Sequence, residues 1–248
     1  MRGFRCVLGI GLAAGLVGPA LAADWGDVEA TLSVTSDYRY RGISGNDRNP
    51  ALQGEVEWSL DGWHVGAWSS MVDFNDHQNT LIEVDVTAGK QVTLRGTIVD
   101  FAATYYSYPI RNRPAGAPRY SFAEASVKAS HSWGDLTLSA EGAWSPNSFG
   151  ETGTSWYLGV GIFYQLRDWL SASANIGRQW VQDIDAISGS GFPYTHWDAG
   201  LTATYDKFSL DLRYVDTSLS PAECLLGLGG RDWCKAGAVA TLSFATGE

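Results

Sequence analysis

The sequence predicts an all-β fold: an antiparallel, up-and-down β-barrel of about twelve strands. Three observations lead to this prediction. Apolar and polar residues alternate in about twelve segments after residue 24. The connections between the segments alternate between short and long without a break. The first segment leads into a long connection and the last one follows a long connection, so both ends of the series lie on the short-turn side.

The first two segments show the alternation clearly. In Val28–Tyr40 the even positions are mostly apolar or tyrosine, and the odd positions are all polar. Leu52–Leu60 repeats this pattern, and Asp61-Gly62 after it predicts a tight hairpin. The other predicted strands are Trp63–Met71, Thr80–Gly89, Ile98–Tyr108, Tyr120–Ser132, Leu136–Trp144, Thr154–Leu166, Leu170–Trp180, Thr195–Tyr205, Phe208–Val215 and Lys235–Phe244.

The connections follow from their composition. Short turns are predicted near Lys90–Gly96, at Trp133-Gly134-Asp135, at Arg167-Asp168 and at Asp206-Lys207. The segment Pro109–Arg119 contains three prolines and is therefore a loop, because proline cannot donate to a strand ladder. The last long loop is predicted over Asp216–Trp233.

The composition of the two strand faces indicates that the apolar face meets lipid. The polar face carries Ser, Thr, Gly and Gln with scattered acids, unlike the Lys/Glu mixture of a solvated exterior. Aromatic residues on the apolar face concentrate at strand ends, as they do at membrane interfaces. They are Trp58, Trp63, Tyr205 and Phe208 near short turns, and Tyr38, Tyr40, Trp144, Trp156, Trp180 and Trp197 near long loops. The barrel is therefore predicted to be transmembrane, and a soluble lipocalin-like barrel is the alternative. Arg178 stands on the apolar face and is expected to reach the headgroups.

The N-terminal segment has the features of an export signal. Arg2 and Arg5 precede the apolar run Val7–Val17, and Ala20-Leu21-Ala22 is a small-x-small cleavage site. A membrane anchor is the alternative, although the run is too short to span. Residues 1–23 are thus a predicted signal peptide, and residues 24–248 are the barrel, placed in the outer membrane of a Gram-negative bacterium. Loss of two arginines from 17 basic residues, with 27 acids retained, gives 15 − 27 = −12, which disfavours a nucleic-acid partner.

Two cysteines remain after signal removal, Cys224 and Cys234, in one loop. An exported protein meets an oxidising compartment, so a disulfide between them is expected. A metal site is the weaker alternative, because two thiols without a nearby histidine are a poor ligand set. No cofactor is expected.

Three segments carry a resemblance to a known family: Val34-Thr35-Ser36-Asp37-Tyr38-Arg39-Tyr40-Arg41-Gly42-Ile43-Ser44, Asn49-Pro50-Ala51-Leu52-Gln53-Gly54 and Ile82-Glu83-Val84-Asp85-Val86-Thr87-Ala88-Gly89. They resemble the TorF family of porins. The resemblance implies an outer-membrane barrel, and the family label suggests a pore. It implies no substrate and no catalytic residues. Phe244 is followed by four further residues, which departs from the terminal aromatic that often ends outer-membrane barrels.

The polar face is predicted to line the lumen. Its candidate pore residues are Asp37, Arg39, Glu55, Glu57, Glu83, Asp85, Asp100, Glu124, Lys128, Glu141, Asp211 and Arg213, and Glu29 and Asp198 share that face. The excess of acids favours a narrow, cation-preferring channel for small solutes or ions. In the alternative, Arg39 and Arg213 pair with Asp37, Glu55 and Asp211 and the barrel is a plugged, structural one. Replacing Glu83 and Asp85 by glutamine is expected to lower cation preference if they line the constriction.

An outer-membrane lipid-modifying enzyme is a weaker alternative. Such chemistry needs a nucleophile and a base within hydrogen-bond reach and facing lipid. The four histidines, His64, His77, His131 and His196, show no such pairing in the predicted register, and no catalytic motif is present. The chain is therefore predicted not to be an enzyme. Its expected partners are membrane lipid, lipopolysaccharide and small solutes. Arg111, Arg113 and Arg119 either meet lipopolysaccharide phosphates or form a solvated loop.

Overall fold

The computed structural model describes residues 26–75, 80–109, 115–182 and 193–246. In these residues twelve strands close into an antiparallel barrel, as the sequence predicts. The barrel strands are β1 (Asp27–Thr35), β4 (Ala51–Leu60), β5 (Trp63–Met71), β6 (Ile82–Leu94), β7 (Thr97–Ser107), β8 (Phe122–Trp133), β9 (Leu136–Ser145), β10 (Ser155–Arg167), β11 (Leu170–Val181), β12 (Tyr194–Tyr205), β13 (Phe208–Thr217) and β14 (Gly237–Ala245).

Each barrel strand pairs with its neighbours in the chain, and β1 closes the barrel against β14. The closing register places Thr31 opposite Ala245 and Thr35 opposite Thr241. Long loops on one side are numbered 1 to 6 along the chain: residues 36–50, 72–81, 108–121, 146–154, 182–193 and 218–236. Two-residue turns join the strands on the other side. At the first of these turns both Asp61 and Gly62 have positive φ, 50° and 81°, the conformation that matches strand twist in a tight hairpin.

The outer surface of the barrel is apolar. Val160, at mid-strand, is 56% exposed, and other large aliphatic side chains on the same face are exposed along every sector of the barrel. Tyr205 (85% exposed) stands at the short-turn end, and Trp156 stands at the long-loop end. Arg178 also faces outward, where it lies 5.6 Å from the Trp180 ring. This exterior is the one expected for a wall in contact with lipid.

The first predicted strand is too long. The wall strand β1 ends at Thr35. The amide of Ser36 still donates to the carbonyl oxygen of Ala240 on β14, and the chain then turns into the lumen. Tyr38 and Tyr40, which the alternation placed on the lipid face, are consequently inside the barrel.

The turn predicted near Lys90–Gly96 also differs. Strand β6 continues to Leu94, and the turn is confined to Arg95-Gly96. The extra residues pair with β7, where Val92 lies opposite Val99. The pairing of these two strands overrides the weak local pattern.

Loop 6, predicted as a plain loop, contains the helix α1 (Pro221–Leu228). The Ser220 hydroxyl accepts from the Glu223 amide, and the Glu223 carboxylate accepts from the Ser220 amide, which is a capping box. Cys224 and Cys234 form a disulfide, with their Cα atoms 6.0 Å apart. Among the described residues, no helix has the length and apolar character that membrane crossing requires.

Several predictions concern residues outside the described ranges. These are the signal peptide at residues 1–23, His77, Arg111 and Arg113. They remain predictions.

Candidate functional site: the lumen and its inward hairpin

Loop 1 folds into the barrel. It contains a small hairpin, β2 (Arg39–Tyr40) paired with β3 (Ile43–Ser44), called here the inward hairpin. Its two-residue tip is Arg41-Gly42, with φ values of 46° and 86°. Both signs are those of a type I′ turn, which glycine at the second position makes accessible. A Cβ at position 42 would lie 2.6 Å from Thr217 Cγ2, so the tip also requires glycine for its close approach to the wall.

Arg41 joins the tip of the inward hairpin to the far wall. Its Nη2 and Nη1 donate to the two carboxylate oxygens of Glu124, at 2.7 and 2.9 Å, and Nη1 also donates to Gln179 Oε1 at 2.8 Å. The guanidinium lies 3.9 Å from the Tyr157 ring centroid and 4.9 Å from that of Tyr40. Glu124, Tyr157 and Gln179 belong to β8, β10 and β11, which are opposite β1 and β4 in the strand order. Arg41 therefore bridges the lumen.

This bridge is dry. Arg41 is 3% exposed and Glu124 is 6% exposed. Bidentate arginine–carboxylate bonds are strong, and a buried charge depends on its partner because water cannot replace it. The contact holds the inward hairpin in one position.

The wall makes room for the bridge at Gly177. The Tyr157 hydroxyl lies 3.2 Å from His196 Nε2, over the backbone of this glycine. A Cβ there would collide with the tyrosine hydroxyl and stand 2.6 Å from the imidazole nitrogen. Glycine at this strand position permits a close approach of side chains inside the barrel.

The base of loop 1 is tied to loop 6. Arg39 Nε donates to Asp37 Oδ2 at 2.7 Å, and its Nη1 donates to the carbonyl oxygen of Trp233 at 2.9 Å. The Ser44 hydroxyl donates to the other oxygen of Asp37 at 2.6 Å. The indole nitrogen of Trp233 donates to Asp47 at 2.7 Å. Asp37 and Arg39 were predicted to line the lumen as part of the first strand. They lie beyond the end of that strand, in the loop that enters the lumen.

Aromatic rings from several loops meet at the long-loop end. Phe74 of loop 2 packs on Tyr108 and Tyr120 of loop 3 and on Phe149 of loop 4, with centroid distances of 5.6, 5.5 and 5.3 Å. Trp233 of loop 6 lies 6.3 Å from the same ring. These five rings are called the aromatic cluster below. It packs over the long-loop side of the lumen.

Glu83 lies beneath this cluster. It is 1% exposed and accepts a hydrogen bond of 2.7 Å from the Tyr108 hydroxyl. Burial raises the pKa of Tyr108 well above its usual range, so the hydroxyl keeps the proton that it donates. Asp85, also predicted as a constriction acid, is buried on the same strand. Both carboxyl groups face inward, under packed side chains.

The middle of the lumen contains a second polar network. Arg213 pairs with Asp198 and with Asp211, the latter at 3.1 Å, and its Nη2 donates to Ser173 at 2.8 Å. Asn175 donates to Asp198 at 2.9 Å. The network joins β11, β12 and β13 on one wall, and the pair of Arg213 with Asp211 is one of those named in the alternative interpretation.

A row of acids continues toward the short turns. Glu29 on β1 lies directly opposite Glu57 on β4. Glu55 is the next inward-facing residue of β4, on the side away from the short turn. On β7, β8 and β9, Lys128 lies between Asp100 and Glu141 in the register. The remaining described histidines on strands have hydrogen-bonding neighbours: His64 Nε2 is 2.9 Å from Asp100 Oδ1, and His131 Nδ1 is 2.9 Å from Thr97 Oγ1.

A family model described as a bacterial protein of unknown function (Gcw_chp) matches residues 20–244. The chain belongs to this family. No curated protein matches it in sequence. Among solved structures, the Gcw_chp barrel is similar to the NanC porin in a rhombohedral crystal form, with a TM-score of 0.54 and 12% identity over 90% of this chain and 100% of that chain. Salmonella typhi OmpF in complex with daunomycin has a TM-score of 0.48 and 9% identity, over 91% and 99% of the two chains.

Of these two likenesses, the one to the NanC porin supports a shared fold. At 12% identity it concerns the fold alone. The Gcw_chp chain is thus a porin-like barrel with a polar lumen. The family model that matches is Gcw_chp and not that of the TorF family, which three segments of the sequence resemble.

The structure separates the predicted pore residues into groups. Glu124 holds the bridge, Glu83 lies under the aromatic cluster with Asp85 buried on the same strand, and Asp211 and Arg213 form the mid-lumen network. The others on the inward face are Glu55, Glu57, Asp100, Lys128 and Glu141. Sequence reasoning missed the part played by Arg41. The available signal was Arg41-Gly42 followed by the apolar Ile43, a two-residue hairpin pattern directly after the predicted strand Val28–Tyr40. In the described part of the chain, no group of three or more His, Cys, Asp or Glu is arranged to hold a metal.

Proposed function

We propose that this protein is an outer-membrane channel for small solutes, with an acidic lumen that prefers cations and a long-loop half narrowed by the inward hairpin. The observation that carries the proposal is a closed barrel with an apolar exterior and an inward row of carboxylates. Carboxylates on a low-dielectric wall attract cations and repel anions. The TorF resemblance of the first strand and loop 1 agrees with a porin role.

The apolar exterior supports placement in the outer membrane of a Gram-negative bacterium, with lipid against the wall. The ends of the strands carry aromatic side chains, which suit the interface with headgroups and lipopolysaccharide. The predicted signal peptide would direct export to that membrane. The proposal assigns no catalytic role to any residue.

A plugged structural barrel is the second candidate. The observation in its favour is the bridge from Arg41 to Glu124, together with the aromatic cluster over the same half of the lumen. A barrel of about twelve strands lies between small barrels filled by side chains and wide porins with an open channel, so an inserted loop has a large effect on its bore.

Conductance across a planar lipid bilayer distinguishes the candidates. Purified, refolded protein is expected to give ion currents whose reversal potential in a KCl gradient shows cation preference. The variant Glu55→Gln/Glu57→Gln removes two carboxylates from the row near the short turns and is expected to shift that potential toward zero. Glu223→Gln/Asp135→Asn removes the same charge outside the lumen and is the matched control.

Each outcome of the conductance experiment supports one candidate function or contradicts the other. Absence of current from the refolded wild type would leave the plugged barrel as the function. Current with anion preference, or an unchanged reversal potential in the Glu55/Glu57 variant, would overturn the acidic-lumen mechanism. Glu83 and Asp85 are less suitable targets, because both are buried.

A further inference from the structure

The surroundings of the Arg41 side chain have the components of a ligand-binding site. A carboxylate receives two parallel hydrogen bonds, an amide oxygen receives a third, and a phenol ring covers the face of the guanidinium. This combination recognises a planar cation with forked donors. It suits a guanidinium much better than an ammonium, which has no flat face and no fork.

The components come from the wall, and only the occupant comes from loop 1. Glu124, Tyr157 and Gln179 lie on three different barrel strands, whose pairing fixes their positions without help from the hairpin. All three are at least nine-tenths buried. In the wall pocket, defined here as these three residues, strand pairing therefore sets the backbone positions, and Arg41 does not.

Arg41 is an imperfect occupant. Its Nε is buried and has no hydrogen-bond partner among the described residues. The tip of the hairpin also holds Arg41 at positive φ, a conformation unfavourable for residues with a side chain. Both features weaken the hold of loop 1 on the pocket relative to a free guanidinium group.

We propose that the wall pocket is a recognition site for guanidinium-bearing solutes, and that Arg41 is a built-in ligand which such a solute displaces as it enters. This inference rests on the proposed channel function and names its substrate class. Displacement frees the hairpin from the far wall and widens the lumen. The carboxylates elsewhere in the lumen concentrate cations near the pocket. A tethered side chain competes at an effective concentration on the order of millimolar, so solutes in that range are expected to compete.

The pocket is tested without conduction by emptying it. In refolded Arg41→Ala, methylguanidinium is expected to raise the thermal unfolding midpoint in the low-millimolar range, at constant ionic strength. Methylammonium, of the same charge, is expected to give a much smaller shift. Adding Glu124→Gln to this variant is expected to weaken the methylguanidinium effect about tenfold, as the loss of one charged, bidentate partner predicts. Equal shifts from the two cations would overturn the proposal.

Selection is tested in the wild-type protein, which needs no variant to fold. Liposomes carrying the protein are expected to admit arginine faster than lysine, which lacks the planar fork, and faster than citrulline, whose ureido group has the same shape without the charge. In Glu124→Gln the advantage of arginine over lysine is expected to disappear. Equal arginine and lysine rates in wild type would refute the selection, while KCl currents would still support a channel. If no solute passes, the channel function fails, and methylguanidinium binding to Arg41→Ala decides the pocket separately.

Discussion

Removal of the Arg41 side chain is the most informative perturbation of this barrel. Arg41→Ala removes the cation that pairs with Glu124, a side chain that is 6% exposed in the intact protein. Removing one partner of a buried ion pair destabilises proteins by about 3–5 kcal/mol. Loop 1 is able to leave the lumen and readmit water to Glu124, which places the expected loss near the lower end, about 3 kcal/mol.

A double-mutant cycle assigns the loss to the pair. Glu124→Gln retains the size of the side chain and removes its charge. In Arg41→Ala/Glu124→Gln no unpaired carboxylate remains at this position, so the double variant is expected to be more stable than Arg41→Ala alone. The coupling energy is expected to lie between about 1 and 3 kcal/mol, the range for residues in direct contact.

The assay is urea unfolding of the refolded barrel in lipid vesicles, followed by tryptophan fluorescence. Arg178→Ala is the matched control, because that guanidinium is exposed on the outer face, where it donates to Thr195 Oγ1 and lies beside the Trp180 ring. Its replacement is expected to cost about 0.5 kcal/mol or less. If Arg41→Ala were no more destabilising than Arg178→Ala, or if the cycle were additive, Arg41 would not hold the hairpin to the wall.

Three further predictions concern the wall and loop 6. Gly177→Ala is expected to destabilise the barrel by about 1–3 kcal/mol in the same urea assay, because the added Cβ meets two buried side chains. Gly54→Ala is the control and is expected to be tolerated, because the nearest atom to its added Cβ is 3.9 Å away. Equal effects of the two substitutions would contradict the packing argument. Reducing the disulfide is expected to speed proteolysis in loop 6, since a closed loop of this size is worth about 2–3 kcal/mol, and Cys224→Ser protein should not respond to reductant. Hydrogen bonds from Ser220 lower the pKa of Glu223. The stabilisation of the helix by the Glu223 carboxylate is therefore present above the ordinary glutamate pKa and is lost as pH falls through the lowered value. Ser220→Ala is expected to raise the pKa of Glu223 in an NMR titration, and an unchanged pKa would show that the cap does not form.

The barrel itself was predictable because its evidence is local and repeated. Each strand shows a period of two residues, and each turn carries its own turn residues, so one weak segment does not change the result. The segment Lys90–Leu94 shows the limit of this reasoning. Its alternation is poor, and it becomes strand because β7 supplies a partner along its whole length.

For the pore, the sequence predicted only which residues lie on the inward face of the strands. Alternation placed Glu124, Asp211 and Arg213 inward, but it did not distinguish an acid open to water from one under a loop. Asp37 and Arg39 continue the alternation of β1 for several residues after the chain has left the wall. Alternation with a period of two residues is found both in the wall strand and in the short strands of the inward hairpin. The pattern by itself therefore did not reveal that the chain leaves the wall after Thr35.

The sequence by itself determined the closed antiparallel sheet, the sides on which its loops lie and the direction in which most side chains point. All of these follow from interactions between residues near each other along the chain or on adjacent strands. Only the tertiary structure decided what fills the lumen. Arg41 and Glu124 are 83 residues apart and meet across the barrel. Their contact needs the hairpin tip to reach the opposite wall and needs the space that Gly177 leaves there. Such a contact has no period in the sequence, because it depends on the curvature that brings distant strands face to face.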